Sequence, residues 1–303
     1  MKINDLYCYS LTKENITYSI DMLRLKTYIS FEEYSKIEFF IEAYFKDKIK
    51  KFWISDKPMC FHYNYNIEIE EGKSFYFGFH HNSEKLNNSD KKNFKNDDLY
   101  NFTIEFNPNK LKKDRLLLYL LGISGEWYIK SYDLAIDLHI NILDLIWDIS
   151  GKAHEKIFNN GYDDRTVYIG SCANRVKIYN KKKESNLSML GDLTRIEISK
   201  VLEDYDIRRL SVLYYDGFFP SIYLNQYIYS LGDYEGKNRT LLAILFAVQN
   251  GFPLRDLSRD YRNKIKHLLE GGYKINFDKN IVTQVLRKII LYYFLDNDKV
   301  HFM

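Results

Sequence analysis

The sequence predicts an α+β fold with a largely antiparallel sheet, flanking helices and a helical C-terminal subdomain. Up to about residue 199, short stretches alternate between apolar and polar residues, as strands with one buried face do. Beyond about residue 200, apolar residues recur at helical spacing instead. We therefore predict an α+β domain at residues 1–200 and a helical subdomain at residues 201–303.

Strands and helices are interleaved in the first domain. Two aromatic-rich segments flank residues 70–73, which predicts a hairpin. A third alternating stretch stops before Pro108, because proline cannot donate to a strand ladder. The polar stretch 82–98 is expected to be a surface loop. The predicted strands are 60–69, 74–80, 101–106, 127–140, 175–179 and 193–198, and the predicted helices are 31–45 and 111–121.

The C-terminal third is predicted to contain helices at residues 202–215, 239–249, 254–270 and 280–295. Gly251 and Pro253 separate the second helix from the third, because glycine ends helices and proline is tolerated where they begin. The third helix is rich in charged residues and contains Arg259 and Arg262.

The composition excludes several classes of protein. A net charge of +3 is too small to indicate nucleic-acid binding, so local clusters must provide that indication. Three cysteines without paired spacing favour a reducing compartment. The sequence contains no phosphate-binding loop, dinucleotide-binding glycine fingerprint or Cys-x-x-Cys motif, which disfavours ATPases, dehydrogenases and zinc fingers. Because we find no signal-peptide pattern and no apolar run of ~18 residues, we expect a cytoplasmic protein without a membrane partner.

Residues 132–140 have the pattern of a strand with one aliphatic and one ionisable face. Period 2 places Asp133, Asp137 and His139 on the ionisable face. These carboxylates, joined by Glu197 from a later strand, could form an all-oxygen site for Mg²⁺ or Mn²⁺. The alternative is the solvated polar face that most antiparallel sheets have.

Tyr179 lies on the same strand face as Arg175 and Lys177, and three lysines follow at residues 181–183. A phenol among cations, with carboxylates on a neighbouring strand, suits a tyrosine that attacks a nucleic-acid phosphate. Nearby cations are expected to favour the phenolate and lower the tyrosine pKa from ~10. The alternatives are a packing tyrosine, one of 27 in the chain, and a solvated lysine turn.

Four short motifs follow one another along residues 100–200. They are Asp-Leu-Ala-Ile-Asp at 133–137, Val-Tyr-Ile-Gly-Ser at 167–171, Val-Lys-Ile-Tyr-Asn-Lys-Lys-Lys-Glu at 176–184 and Thr-Arg-Ile-Glu-Ile at 194–198. In this order they resemble the Rep_trans-type rolling-circle replication initiators of Gram-positive plasmids, a family related to the relaxases of some conjugative elements. The family usually has an arginine directly after Gly-Ser, where this chain has Cys172-Ala173-Asn174, and Arg175 is the candidate replacement.

The resemblance implies a DNA nicking-closing endonuclease. Its tyrosine would cut one strand, leaving a 5′-phosphotyrosine and a free 3′-hydroxyl, while a divalent metal, Mg²⁺ or Mn²⁺, polarises the scissile phosphate. The catalytic candidates are Tyr179, Lys181 and Arg175. The candidate metal ligands are Asp137, Glu197, Asp133 and Glu184. The candidate DNA-binding residues are Lys177, Lys182, Lys183, Arg195, Arg259 and Arg262.

On this resemblance, residues 1–200 would nick DNA and residues 201–303 would contribute to origin recognition. The expected partner is plasmid origin DNA, single-stranded at the nick, with a host helicase and a second copy in a homodimer as further candidates. Two alternatives remain open. One is a relaxase that starts conjugative transfer, and the other is an initiator that binds origin DNA without cutting it, in which Tyr179 and the carboxylates are dispensable for binding.

Overall fold

The structure is a computed structural model that describes most of the chain. The described residues are 11–13, 16–55, 63–81, 99–111, 114–148, 155–159, 165–170, 175–185, 191–225, 239–270 and 274–294. The predicted loop 82–98 lies outside the described residues, as do residues 171–174 after the glycine of the second motif.

Within these residues, eleven strands form one sheet, and two further strands form a small second sheet. The strands are β1 (Leu11–Lys13), β2 (Ile16–Ser30), β3 (Ile49–Ile54), β4 (Tyr63–Glu70), β5 (Lys73–His81), β6 (Leu99–Phe106), β7 (Tyr128–Leu138), β8 (Leu145–Asp148), β9 (Glu155–Asn159), β10 (Arg165–Ile169), β11 (Val176–Asn180), β12 (Thr194–Asp206) and β13 (Ser221–Leu224). The large sheet has the order β3-β4-β5-β6-β2-β7-β12-β11-β10-β9, with β1 paired to β2, and all its pairings are antiparallel. The second sheet pairs β8 with β13.

The helices pack against these sheets. They are α1 (Phe31–Tyr44), α2 (Arg115–Gly122), α3 (Lys181–Glu184), α4 (Arg239–Gln249), α5 (Arg259–Glu270) and α6 (Lys279–Phe294). A capping box starts α1, since Ser30 and Glu33 each accept a hydrogen bond from the other's backbone N–H. No helix in the described part of the chain is long and apolar enough to cross a membrane.

The apolar side of the large sheet forms the main core together with α1, α2 and α6. Helix α6 buries residues three and four apart, and it packs against β2. The buried α6 residues in this core are Val282, Val285, Leu286, Ile289, Ile290 and Tyr293. A second cluster joins α4 and α5 to the β8–β13 sheet through Ile146, Tyr223, Leu245, Val248, Leu254, Ile265 and Leu269.

The predicted α+β class and the large antiparallel sheet are confirmed, and so are the hairpin at 70–73 and the helix at 239–249. The helix predicted at 202–215 is wrong. In its place, β12 continues to Asp206 and pairs with β7 beyond a bulge, and a short 3₁₀ segment follows. The ladder to β7 therefore outweighs the helical spacing of the apolar residues. Since β12 also runs through residue 200, a boundary there would cut a strand, and the two-domain division stays a prediction.

Candidate active site on the polar face of the sheet

The strands β11, β12 and β7 place most of the predicted site residues side by side. Tyr179 pairs with Arg195 across β11 and β12, and Arg195 pairs in turn with Asp137 across β12 and β7. Lys177 pairs with Glu197 in the same register. Side chains directly opposite each other in antiparallel strands point to the same face. One face of the sheet therefore carries the phenol, both carboxylates and two cations.

Tyr179 is the centre of this cluster. The residue is only 2% exposed, and its hydroxyl donates a hydrogen bond to Glu197 Oε1. Lys177 Nζ lies 3.8 Å from the centroid of the Tyr179 ring, and Lys181 Nζ lies 5.6 Å from it. Lys177 Nζ is also 3.9 Å from Glu197 Oε2. The arrangement joins a candidate nucleophile, a proton acceptor and two ammonium groups that can face a phosphate.

The pKa of Tyr179 is raised, which overturns the expectation that neighbouring cations lower it. Burial is the main cause, and the Glu197 carboxylate is the next, whereas the charge of Arg195 acts in the opposite direction. Desolvation and one close carboxylate therefore outweigh the cations, and the phenol is held in its protonated form. A reaction at this oxygen needs a base to take the proton.

Glu197 is placed to be that base. Its pKa is raised, first by burial and then by the nearby Asp21 carboxylate. The hydrogen bond from Tyr179 and the charges of Lys177 and Arg195 partly offset the increase. A carboxylate with a raised pKa that already accepts the phenolic hydrogen bond is a suitable general base.

Arg195 is buried in a network of ion pairs. Its Nε donates to Asp137 Oδ1 at 2.6 Å and its Nη2 to Asp137 Oδ2 at 2.7 Å, while Nη1 donates to Asp21 Oδ1 at 3.1 Å. Arg195 is 1% exposed and Asp137 is 2% exposed. The prediction that Arg195 contacts DNA therefore needs correction. Its guanidinium faces two carboxylates instead of solvent, and this bidentate pair joins β12 to β7.

Asp21 is a site residue that the sequence analysis missed. It lies on β2, next to a bulge in the pairing with β7, and Asn107 Nδ2 also donates to it at 2.9 Å. The sequence does contain a pattern that predicts this strand, because Thr17, Ser19 and Asp21 alternate with Ile16, Tyr18 and Ile20.

The four predicted metal ligands do not converge. Asp137 uses both oxygens for Arg195, and Asp133 Oδ2 accepts from Arg24 Nη2 at 3.1 Å. Glu184 Oε2 pairs with Lys181 Nζ at 2.7 Å. Among the described residues, no group of three or more His, Cys, Asp or Glu side chains could hold a metal ion. As arranged, these residues do not fit Mg²⁺ or Mn²⁺, and metal binding stays a prediction.

The remaining basic candidates occupy two places. The lysine run forms the single turn α3, whose first backbone groups are capped by Asn180, and Lys182 Nζ donates to Gly191 O at 3.0 Å. Arg175 is exposed, with its guanidinium 5.5 Å from the centroid of the Tyr168 ring. Arg175 therefore directly precedes β11, and Lys182 and Lys183 follow it in α3.

Arg259 and Arg262 lie on α5, the helix that contributes Ile265 and Leu269 to the second cluster. Arg259 is exposed, as a DNA contact must be. Arg262 Nη2 donates to Arg255 O at 2.9 Å and to Leu257 O at 3.4 Å. Arg262 therefore holds the segment that leads into α5, which gives it a structural role beside the predicted one.

Fold and site together define an α+β protein with a tyrosine, a carboxylate and cations clustered on the polar face of an antiparallel sheet. Among solved structures, the chain is similar to the rolling circle replication initiator protein from Geobacillus stearothermophilus. The two chains are 12% identical with a TM-score of 0.36, over 84% of this chain and 97% of that chain. No protein-family model and no curated protein matches the sequence. At this low similarity, function has to be inferred from the residues of the site.

Proposed function

We propose that the protein initiates rolling-circle replication by cutting and rejoining one DNA strand through Tyr179. The observation that carries the proposal is the hydrogen bond from the Tyr179 hydroxyl to Glu197, with Lys177 and Lys181 beside the ring. The four motifs that resemble plasmid initiators support it, because they contain these same residues.

In the proposed reaction, Glu197 takes the phenolic proton while Tyr179 Oη attacks the scissile phosphorus. The new phosphorus–oxygen bond forms as the bond to the 3′-oxygen breaks, and that oxygen leaves as a hydroxyl with a proton from solvent. The phosphotyrosine conserves a phosphodiester, so the reverse attack by the 3′-hydroxyl rejoins the strand. Lys177 and Lys181 cover the ring, and we expect their ammonium groups to turn towards the incoming phosphate.

The direct test is to incubate the protein with supercoiled plasmid that carries its own gene. We expect an open-circular product and a protein–DNA adduct that survives denaturation.

A second candidate, an initiator that binds origin DNA without cutting it, is favoured by the burial and raised pKa of Tyr179. That candidate gives binding to the same plasmid with neither a nick nor an adduct.

Glu197→Gln should lower the cleavage rate by about 10²–10⁴-fold, because an amide cannot accept the phenolic proton. In the wild type, the rate should fall as the pH drops through the raised pKa of Glu197, above the usual ~4.3. An unperturbed tyrosine would ionise as the pH approaches ~10, and the cleavage rate would then rise again. Because the pKa of Tyr179 is raised, we expect no such rise in the rate near that pH. Single-turnover cleavage of a labelled strand across this pH range measures both effects.

The stability of Glu197→Gln is the control for this prediction. A raised pKa means that folding favours the protonated carboxyl, so its stabilising contribution is present at low pH and lost as the pH rises through the folded-state pKa. Removing the charge should therefore leave the melting temperature at pH 7 unchanged or higher. A lower melting temperature together with full cleavage activity would contradict the role of Glu197 as a base.

Binding of Mg²⁺ or Mn²⁺ to this face is a separate proposal, and no step above depends on it. Asp21, Asp137 and Glu197 supply negative charge here, but a metal at Asp137 must displace the Arg195 guanidinium. We expect Mn²⁺ binding to the metal-stripped protein, followed by electron paramagnetic resonance, to weaken in Asp137→Asn and in Glu197→Gln. Glu70→Gln, on the exposed β4–β5 hairpin, is the control. Wild-type affinity in both site variants would remove the metal from this face.

A further inference from the structure

A cavity of about 390 Å³ opens beside the ends of the central strands of the large sheet. Of the eight described residues that line it, three can donate a hydrogen bond from the side chain and five are aliphatic. Ligand pockets usually have volumes of roughly 300–1,000 Å³, so this cavity has the size of a small one. The donors are His139, Lys274 and Asn276, and the aliphatic residues are Ile16, Leu138, Ile140, Leu224 and Ile275.

The cavity and Tyr179 lie at the same end of the sheet. Tyr179 is the last residue but one of β11, and Asp137, two strands away, is the last but one of β7. The cavity residue Leu138 ends β7, and its cross-strand partner Ile16 begins β2. Two strand spacings and one residue separate the backbones of Tyr179 and Leu138, which is about 10 Å. A DNA strand at Tyr179 therefore reaches the cavity within about three nucleotides, at ~3.4 Å per nucleotide.

Both walls of the cavity are held in place by hydrogen bonds. On one wall, Thr194 Oγ1 donates to Ile140 O at 2.7 Å. On the other wall, the Ile275 backbone N–H donates to Ile222 O at 2.9 Å. The cavity is therefore formed without a ligand, and a ligand that enters it does not have to order these segments.

The polar residues of the cavity suit an anion. Lys274 carries an ammonium group, Asn276 an amide with two N–H donors and His139 a ring N–H, and all three residues are exposed. Among the described residues that line the cavity, none is acidic. Lysine and amide donors of this kind bind the phosphate oxygens of nucleic acids.

Two carboxylates close to the cavity along the chain are already compensated. Asp137, on β7, accepts the bidentate pair of hydrogen bonds from Arg195. Asp278, on the segment that leads into α6, accepts from the Asn280 backbone N–H at 2.9 Å. Negative charge is favourable at that position, because the helix N-terminus is electropositive. Both carboxylates therefore oppose an anion in the cavity less than free carboxylates would.

We propose that this cavity holds one backbone phosphate of the DNA strand that Tyr179 cuts, through Lys274, Asn276 and His139. The aliphatic residues then pack against the sugar of the same nucleotide. A phosphate fixed here sets the register of the strand, and with it the phosphate that reaches Tyr179. The inference rests on the proposed function for the DNA strand. Free phosphate offers the same anionic oxygens, so the test separates the two sources.

The test measures DNA binding in full-length Tyr179→Phe, in which we expect no cleavage. Fluorescence anisotropy follows a labelled oligothymidylate of about 20 nucleotides, longer than a typical single-strand site, at several salt concentrations. Lys274→Gln removes the cation, and Asn276→Asp places a carboxylate in the cavity at nearly the same side-chain size. Both residues are exposed, so the fold should tolerate the changes. Lys36→Gln on α1 is the matched control, because it changes the net charge equally and the Lys36 side chain is 64% exposed.

We expect Lys274→Gln to weaken binding about 10-fold, as the loss of one charge-assisted hydrogen bond does. The slope of log affinity against log salt should become about 0.7 less steep, the value for one phosphate contact on a single strand. Asn276→Asp should weaken binding at least as much, because it repels the phosphate, whereas Lys36→Gln should keep the affinity and the slope.

Unchanged affinity and slope in both cavity variants would overturn the proposal and leave cleavage by Tyr179 unaffected. No binding by Tyr179→Phe itself would instead contradict the proposed function. Isothermal titration calorimetry with inorganic phosphate tests the other source. Phosphate binding that Lys274→Gln abolishes, with an unchanged affinity for the strand, would identify a free anion as the ligand and overturn the assignment to DNA.

Discussion

Replacing Tyr179 by phenylalanine should abolish strand cleavage and the covalent adduct while leaving DNA affinity and fold almost unchanged. The substitution removes only the phenolic oxygen, which is the atom that donates to Glu197 Oε1. Loss of a nucleophile lowers the rate by up to about 10⁶-fold in a well-studied hydrolase, so we expect cleavage to fall to background. Plasmid relaxation on gels and adduct formation after denaturation measure the effect.

Two controls accompany this prediction. One is the stability of Tyr179→Phe, and the other is the set of tyrosines that lie close in sequence to the same motifs. Losing one buried hydrogen bond should lower the melting temperature by no more than about 2–4 °C, because such a bond contributes about 1 kcal/mol. Tyr168→Phe, on the neighbouring strand β10, should cleave like the wild type. Mass spectrometry of the trapped adduct decides the assignment, and a nucleotide on Tyr168, Tyr132 or Tyr162 would prove it wrong.

The faces of β7, β11 and β12 could be predicted from the sequence because side-chain direction in a strand depends only on the period of 2. Tyr179, Lys177 and Glu197 therefore lie on one polar face, as the alternation indicates. The sequence did not provide the register. Tyr179 pairs with Arg195, and Arg195 pairs with Asp137, because β11, β12 and β7 are neighbours in the sheet. The order of the strands depends on the core that they share, which the alternation within one strand does not reveal.

The electrostatics of the site could not be predicted from the sequence. The cations around Tyr179 were visible in the motif, but the burial that raises its pKa belongs to the folded sheet. Asp21 was missed because no strand was predicted at residues 16–30, although β2 lies at the centre of the large sheet. If β2 is not predicted, Asp21 cannot be placed beside Arg195, and Arg195 is then interpreted as an exposed cation.

Asp137→Asn should destabilise the protein by about 3–5 kcal/mol, because it leaves the buried Arg195 guanidinium without its bidentate partner. Urea unfolding followed by circular dichroism measures the free energy of unfolding. The double variant Asp137→Leu with Arg195→Leu should recover most of that loss, because replacing a whole buried ion pair by apolar residues is often nearly neutral. Asp21 then loses one contact but keeps its hydrogen bond from Asn107.

Asp133→Asn is the matched control on the same strand. Its partner Arg24 and Asp133 itself are partly exposed, at 26% and 21% of their side chains, so this pair should contribute no more than about 1 kcal/mol.

The sign of the Asp137→Asn effect on stability separates the two roles considered for Asp137. A structural partner of Arg195 is stabilising without any metal, whereas a carboxylate held mainly for a metal is repelled by Asp21 and Glu197 in the metal-stripped protein. Unchanged or higher stability of metal-stripped Asp137→Asn would therefore contradict the ion-pair role and favour the metal.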